Sequence, residues 1–133
     1  MSALIYRVEN NQGLGMYRRA NPHSLLKYYN YIDNEARHPT PLTDEKLNWT
    51  DADVGMLFGF TSIAQLKFWL YQEDWRTYLK NGGHTVAVYE VDEHYKLGDT
   101  QACFNIKYAV RITNIDLVDL VTQVDVTMEI AVA

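Results

Sequence analysis

The chain has 133 residues, a size at which a single domain buries roughly two-thirds of its unfolded surface and needs no staple to hold a core. With 47% hydrophobic and 22% charged residues it matches ordinary globular usage, and no apolar run approaches the roughly 20 residues of a bilayer span, which argues against disorder and against a membrane role. A net charge of −5, with no cationic run longer than Arg18-Arg19, argues against direct nucleic-acid binding by phosphate neutralisation.

Met1-Ser2-Ala3-Leu4 lacks the charged start and long apolar stretch of an export signal, and the single Cys103 has no disulfide partner, so the chain reads as cytoplasmic. No repeat or low-complexity linker divides it, and residues 1–133 are read as one domain. Leu4, Tyr6 and Val8 alternate with Ile5, Arg7 and Glu9, which predicts a first strand with Arg7 opposite in face to Tyr6; Asn10-Asn11-Gln12-Gly13 supplies turn chemistry. Asn21-Pro22 starts a helix, with Leu25, Tyr28, Tyr29 and Ile32 at helical spacing and an end near Asn34. His38-Pro39-Thr40-Pro41 is extended, because a residue before proline is pushed out of the helical region. A short helical turn is expected at Asp44 to Leu47.

Ser62 to Lys80 reads as one helix, opened by a Ser62/Gln65 capping box and stopped by Gly82-Gly83. Gln65, Gln72, Arg76 and Lys80 fall on one narrow polar stripe of it, and Phe68, Trp69 and Trp75 are assigned to the core. Thr85 to Val91 is a strand. A long alternation from Ala102 to Thr113 and a second from Val124 to Val132 predict two strands paired antiparallel through Asn114 to Gln123. The expected fold class is α+β: a curved, mainly antiparallel split sheet with two main helices.

The four histidines share no metal-ligand spacing with one another or with Cys103, so no metal site is assigned. Nucleophile-elbow and phosphate-loop patterns are absent. With ten Tyr and three Trp the chain is rich in side chains that combine apolar area with a polar tip, a composition that suits a ligand groove or an interface as well as a core.

What remains is an order of short motifs: Tyr6-Arg7 in the first strand; Gly13-Leu14-Gly15-Met16-Tyr17 before a helix with Ser24 and Tyr28; Gly59-Phe60-Thr61-Ser62 before the next helix; Tyr89-Glu90-Val91; and Gly98-Asp99-Thr100-Gln101. In this order the chain resembles the ADP-ribosyltransferase superfamily, where a strand-borne Arg, a Ser/Thr-rich turn and an acidic element at a later strand form an NAD site. The resemblance implies an ADP-ribosyltransferase-like fold with NAD as cofactor. In it Arg7 orients NAD, Tyr17 stacks on nicotinamide, Ser62 braces the site and Gln101 occupies the position of the catalytic acid, with Tyr6, Gly13, Gly15, Phe60 and Thr61 on the cofactor side. Gln101-Ala102-Cys103 carries no Glu. A neutral amide can hold a ribose hydroxyl but cannot supply the negative charge that stabilises an oxocarbenium ion. Glu90 and Asp99 are the nearest carboxylates in sequence.

A second set of matches is broader. Tyr6-Arg7, Gly13 to Tyr17, His38 to Pro41, Gly59 to Ser62, Gln65-Leu66 with Trp69, Tyr89 to Val91 and Gly98 to Phe104 are similar to motifs of a family of small phage and prophage proteins. That similarity implies a viral origin and a role in the infected bacterium, with a host bacterial protein as partner. Two functions follow as expectations: an ADP-ribosyltransferase-like protein acting on a host component, by NAD-dependent transfer or with only a nucleotide-binding cleft retained; or a non-catalytic inhibitor or interaction module that blocks a host protein.

Overall fold

A computed structural model describes residues 2–15, 44–70 and 73–119. The expected helix at 22–34, the loop at 38–41, the last strand at 124–132 and the side chain of Trp75 lie outside the described residues. Within them the chain is α+β, with every strand pairing antiparallel.

The elements in chain order are β1 (Ala3–Glu9), β2 (Leu57–Gly59), helices α1 (Ile63–Trp69) and α2 (Glu73–Asn81), then β3 (Thr85–Val91), β4 (Tyr95–Leu97), β5 (Ala102–Phe104) and β6 (Ala109–Ile115). The strands form two sheets, ordered β1-β3-β6 and β2-β5-β4 among the described residues. β3 is central in the first and is buried on both faces from Val86 to Tyr89, with Thr85 partly exposed and Glu90 exposed. Its near-continuous apolar run Val86-Ala87-Val88-Tyr89 is what a doubly covered strand requires.

Alternation sorts the first sheet's side chains into two cores. Tyr6, Val8, Val86, Val88 and Ile115 pack with Ile63, Leu66, Trp69, Leu70 and Leu79 of the helical layer. Ile5, Ala87, Tyr89 and Val91 point the other way and pack on Ala102 and Phe104 of the second sheet, with the rings of Tyr89 and Phe104 5.3 Å apart. The first sheet is therefore the middle layer. Beyond the second sheet, Trp49 stacks on Phe58 at 5.2 Å.

The two sheets meet where β2 runs onto β1. Tyr6 and Phe60 exchange both backbone hydrogen bonds, at 2.8 and 2.7 Å. Gly59, just before the crossing, has no room for a side chain: a Cβ there would lie 2.6 Å from Ile5 Cγ2 and 2.8 Å from the Tyr6 carbonyl oxygen. The second of these is backbone and has little freedom to yield.

Two expectations are corrected. The helix predicted from Ser62 to Lys80 is broken: Leu70 leaves helical geometry at φ −105°, ψ 51°, and the next described helix is Glu73–Asn81. Arg76 Nη1 caps the break by donating to the Leu70 carbonyl at 2.6 Å. Gln65 and the pair Arg76 and Lys80 therefore lie on two different helices rather than on one stripe, and Phe68, assigned to the core, is half exposed. The strand predicted from Ala102 to Thr113 is also split. Asn105 accepts hydrogen bonds from the amides of Lys107 and Tyr108, through its side chain and its carbonyl respectively, and turns Ile106–Tyr108 into a 3₁₀ segment. That turn carries the chain from the second sheet to the first. The Ser62 half of the Ser62/Gln65 box, the stop after Asn81, the Thr85 to Val91 strand and the Asp44 to Leu47 turn stand as expected.

Adding one methyl at the crossing should be felt directly. Gly59→Ala is expected to lower the urea-unfolding midpoint by the equivalent of about 1–3 kcal/mol, the range for overpacking a filled site, with the slope unchanged. Gly55→Ala is no control, since its φ of 96° is itself strained; Ala64→Gly, on an exposed helical position, provides a comparison limited to helix propensity, about 1 kcal/mol.

Candidate functional site

On β1, Ile5, Arg7 and Glu9 share the face that looks toward the second sheet, and the last two are charged. Arg7 is 7% exposed and Glu9 5%. Burying charges demands partners, and the fold provides them. Arg7 Nη1 donates to the Phe58 carbonyl at 2.9 Å and Nη2 to the Gly13 carbonyl at 3.3 Å, while Nε lies 3.4 Å from Glu9 Oε1. Tyr89 reaches along β3 to donate its hydroxyl to the same Glu9 oxygen at 2.7 Å. Burial, followed by the hydrogen bond and charge of Glu9, pushes the Tyr89 phenol up to about 12.

The turn after β1 roofs this cluster. Asn10 Oδ1 accepts from the amides of Gln12 and Leu14, and Gly13 takes φ 79°, a conformation that favours glycine. Gly15 then bridges back to Glu9, and a Cβ on it would stand 3.1 Å from Arg7 Nη2. The structure thus brings together three of the residues singled out in the sequence, Arg7, Gly13 and Gly15. Tyr6 and Phe60 flank them through the backbone bridge, but their side chains are 0% and 3% exposed and belong to the core on the opposite face of β1. Tyr17 lies outside the described residues.

Thr61, Ser62 and Gln101 form a second group, joined through Gln65 and the residue 98–101 loop. Gln65 donates its amide nitrogen to the Asp99 carbonyl at 2.9 Å, while its carbonyl oxygen accepts from the Thr61 amide at 2.8 Å. The reciprocal half of the capping box therefore falls one residue earlier than expected, on Thr61 rather than Ser62. Ser62 Oγ accepts from the Gln65 amide at 3.1 Å. Gln101, 5% exposed, receives the Gly98 amide on its carbonyl at 2.8 Å, and Ala102 beside it pairs with Gly59.

Asp44 holds the same loop from the other side. Its carboxylate, 5% exposed, accepts from the amides of Asp99 and Thr100, from Thr100 Oγ1 at 2.7 Å, and from the Leu47 amide. Burial alone would raise its pKa, but the bonds from Thr100, Asp99 and Leu47 outweigh it and hold the group below its ordinary value. Lys96 Nζ, at 2.7 Å from Asp53, ties the residue 48–53 segment to β4 and, ahead of the opposing effect of burial, holds the Asp53 carboxyl low. Cys103 lies beneath that segment, and burial, then the Asp53 charge, pushes its thiol up to about 11. Such a thiol is a poor nucleophile. Among the described residues no three His, Cys, Asp or Glu side chains gather as a metal site, and no helix is long and apolar enough to cross a membrane.

Tyr89, Asp44 and Gln65 take part in ways that sequence reasoning missed. Glu9 was legible, because it repeats Arg7 at a spacing of two on one strand face. Asp44 was not, because Asp99 and Thr100, the loop residues it holds, lie more than fifty positions away.

A family model described as the bacteriophage T4 Y00F protein matches residues 1–118. The chain belongs to that family. This bears out the similarity to small phage proteins, and the matched span includes every residue of the clusters just described. No curated protein and no solved structure matches the chain.

Two outcomes test the energetics of this phage protein's polar clusters. Arg7→Ala strands Glu9 without its cation, and is expected to cost about 3–5 kcal/mol in urea unfolding, as for a broken buried ion pair; Arg7→Met with Glu9→Leu should cost less than the two single changes summed, by about 0.5–3 kcal/mol. Asp44 has a folded-state pKa below its ordinary 3.8, so its contribution is complete above that value and is lost as pH falls through the folded pKa. The midpoint measured from pH 6 downward should fall on the acid side of about 4, and Asp44→Asn should start lower at pH 6 and show a shallower acid decline.

Proposed function

We propose that this phage protein acts on a component of its bacterial host as a non-catalytic interaction module, in the host cytoplasm. The observation that supports this reading is the use to which the fold puts the polar groups of the NAD-type arrangement. The Arg7 guanidinium is directed at the Phe58 and Gly13 carbonyls and at Glu9, inside the protein. Tyr6 and Phe60 are core, Ser62 caps α1, and Gln101 is buried at the start of β5. Each has a structural task that accounts for its residue type. An anion clamp needs its guanidinium open to the ligand, since bidentate donors already committed to carbonyls are not available to phosphate.

A second reading keeps the ADP-ribosyltransferase resemblance: NAD-dependent transfer, or a nucleotide cleft without transfer. What favours it is the placement of Arg7 against the Gly13 to Gly15 turn, together with the order of the motifs. Under it, Gln101 in place of an acid leaves binding stronger than catalysis.

One experiment separates the two. Tagged full-length protein is incubated with host lysate and NAD, and captured proteins are weighed intact by mass spectrometry, alongside calorimetry of the protein with millimolar NAD. Stable capture of a host protein at unchanged mass, with no heat of NAD binding, is the expected result. An ADP-ribose increment on the captured protein, or saturable NAD binding abolished in a folded Arg7 variant, overturns the interaction reading in favour of the second.

A further inference from the structure

Asn81 closes α2 and Gly82 follows it; no other asparagine of the sequence has glycine as its next residue. Both are exposed. The side-chain amide of an asparagine is an electrophile within reach of the backbone nitrogen that comes next, which can close a ring on Cγ. A glycine in that place presents its nitrogen without a side chain to hinder the approach. Asparagine is a thermolabile residue for this reason.

The helix ending makes no conformational use of a glycine at 82. The left-handed residue is Gly83, at φ 85°, whose amide donates to the Lys80 carbonyl at 2.9 Å, and the His84 amide reaches the Leu79 carbonyl at 3.0 Å. These two bonds make a Schellman ending with Gly83 as its pivot. Gly82 keeps a φ outside the left-handed region. Its nitrogen is nonetheless held, because it donates to the carbonyls of Tyr78 and Leu79, each at 3.1 Å. A nitrogen directed back along the helix in this way cannot turn onto Asn81 Cγ. The turn has to open first, and a local opening costs less than unfolding the domain.

We propose that Asn81 is a deamidation site gated by the last turn of α2. On opening, the Gly82 nitrogen attacks Asn81 Cγ, the Cγ–Nδ2 bond breaks, and ammonia leaves with the proton that the Gly82 nitrogen gives up. Water then opens the cyclic imide at either of its two carbonyls, leaving aspartate or isoaspartate. The sum exchanges ammonia for water and transfers no electrons. Either product works against the structure that held the nitrogen. A carboxylate at the end of α2 opposes the helix dipole and comes next in sequence to Lys80, whose ion partner Asp116 already lies at 3.5 Å. Isoaspartate lengthens the main chain by a methylene just before the Gly82 to His84 link from α2 to β3, the central strand of its sheet. The modification is therefore a lasting record of each opening.

The test incubates the full-length protein at mildly alkaline pH, folded in buffer or unfolded in guanidinium chloride, and follows aspartate and isoaspartate at every asparagine by peptide mapping. Conversion at Asn81 is expected ahead of all other asparagines, slower in the folded chain by about ten-fold or more, and suppressed by Gly82→Ala and by Asn81→Gln in both states. Gly83→Ala forces a side chain into the left-handed region, at a cost of about 1–3 kcal/mol. It should speed conversion of the folded chain about five-fold or more, while Gly59→Ala, which strains the distant sheet crossing, should not match it. Equal rates in the folded and unfolded chains overturn the gate. So does equal acceleration by Gly83→Ala and Gly59→Ala, because the opening is then global. Faster conversion at another asparagine, or no conversion at Asn81 in the unfolded chain or in folded Gly83→Ala, overturns the site itself.

Discussion

The backbone crossing of Tyr6 and Phe60 is the constraint on which the arrangement depends. β1 pairs along its length with β3 and, at a single residue, with the end of β2, so it belongs to one sheet and anchors the other. The crossing sets the separation of the sheets, and with it the layer filled by Ile5, Tyr89 and Phe104. It also sets where α1 begins, since Ser62 caps that helix two residues after Phe60. The approach is possible only because residue 59 has no side chain. A strand this crowded on both faces has little latitude, which is why charged side chains next to the crossing are held rather than solvated.

Arg7 illustrates the consequence. Its position next to the crossing places a cation between sheets, where an unpaired charge would be costly, and the fold answers with two carbonyls, a carboxylate and, through that carboxylate, a phenol. A buried ion pair of this kind is better understood as a device for register than as a source of net stability, because desolvation offsets much of its attraction. It ties β1, β2, β3 and the residue 10–15 turn to one geometry. The same residues that would make an attractive nucleotide clamp on paper are, in this fold, the means of keeping two sheets aligned.

The loop at residues 98–101 is held by a complementary logic. Gln65 fastens its carbonyls and Asp44 its amides, so both polarities of an irregular backbone are satisfied without regular pairing, as buried peptide groups require. The acid is thereby committed to structure, and its low pKa reports hydrogen bonding rather than catalytic tuning. On the surface, the Ile106 to Ile112 stretch departs from the chain's general character in both polarity and charge.

Much of this was legible in the residues. Alternation located β1 to within a residue, Thr85 to Val91 was read as a strand with its bounds, Asn10 to Gly13 marked the turn, Ser62 with Gln65 marked a helix start, and the motif series pointed to a phage family. These are local signals: dihedral preference, capping and side-chain period act within a few residues, so the sequence carries them without knowing the neighbours. The break at Leu70, the switch of sheets at Asn105, the burial of Arg7 and the engagement of Asp44 with Thr100 were decided only in three dimensions. The last two depend on partners distant in the chain, and neither the pairing of charges nor the packing of a Cβ is defined until the strands that bring them together have met.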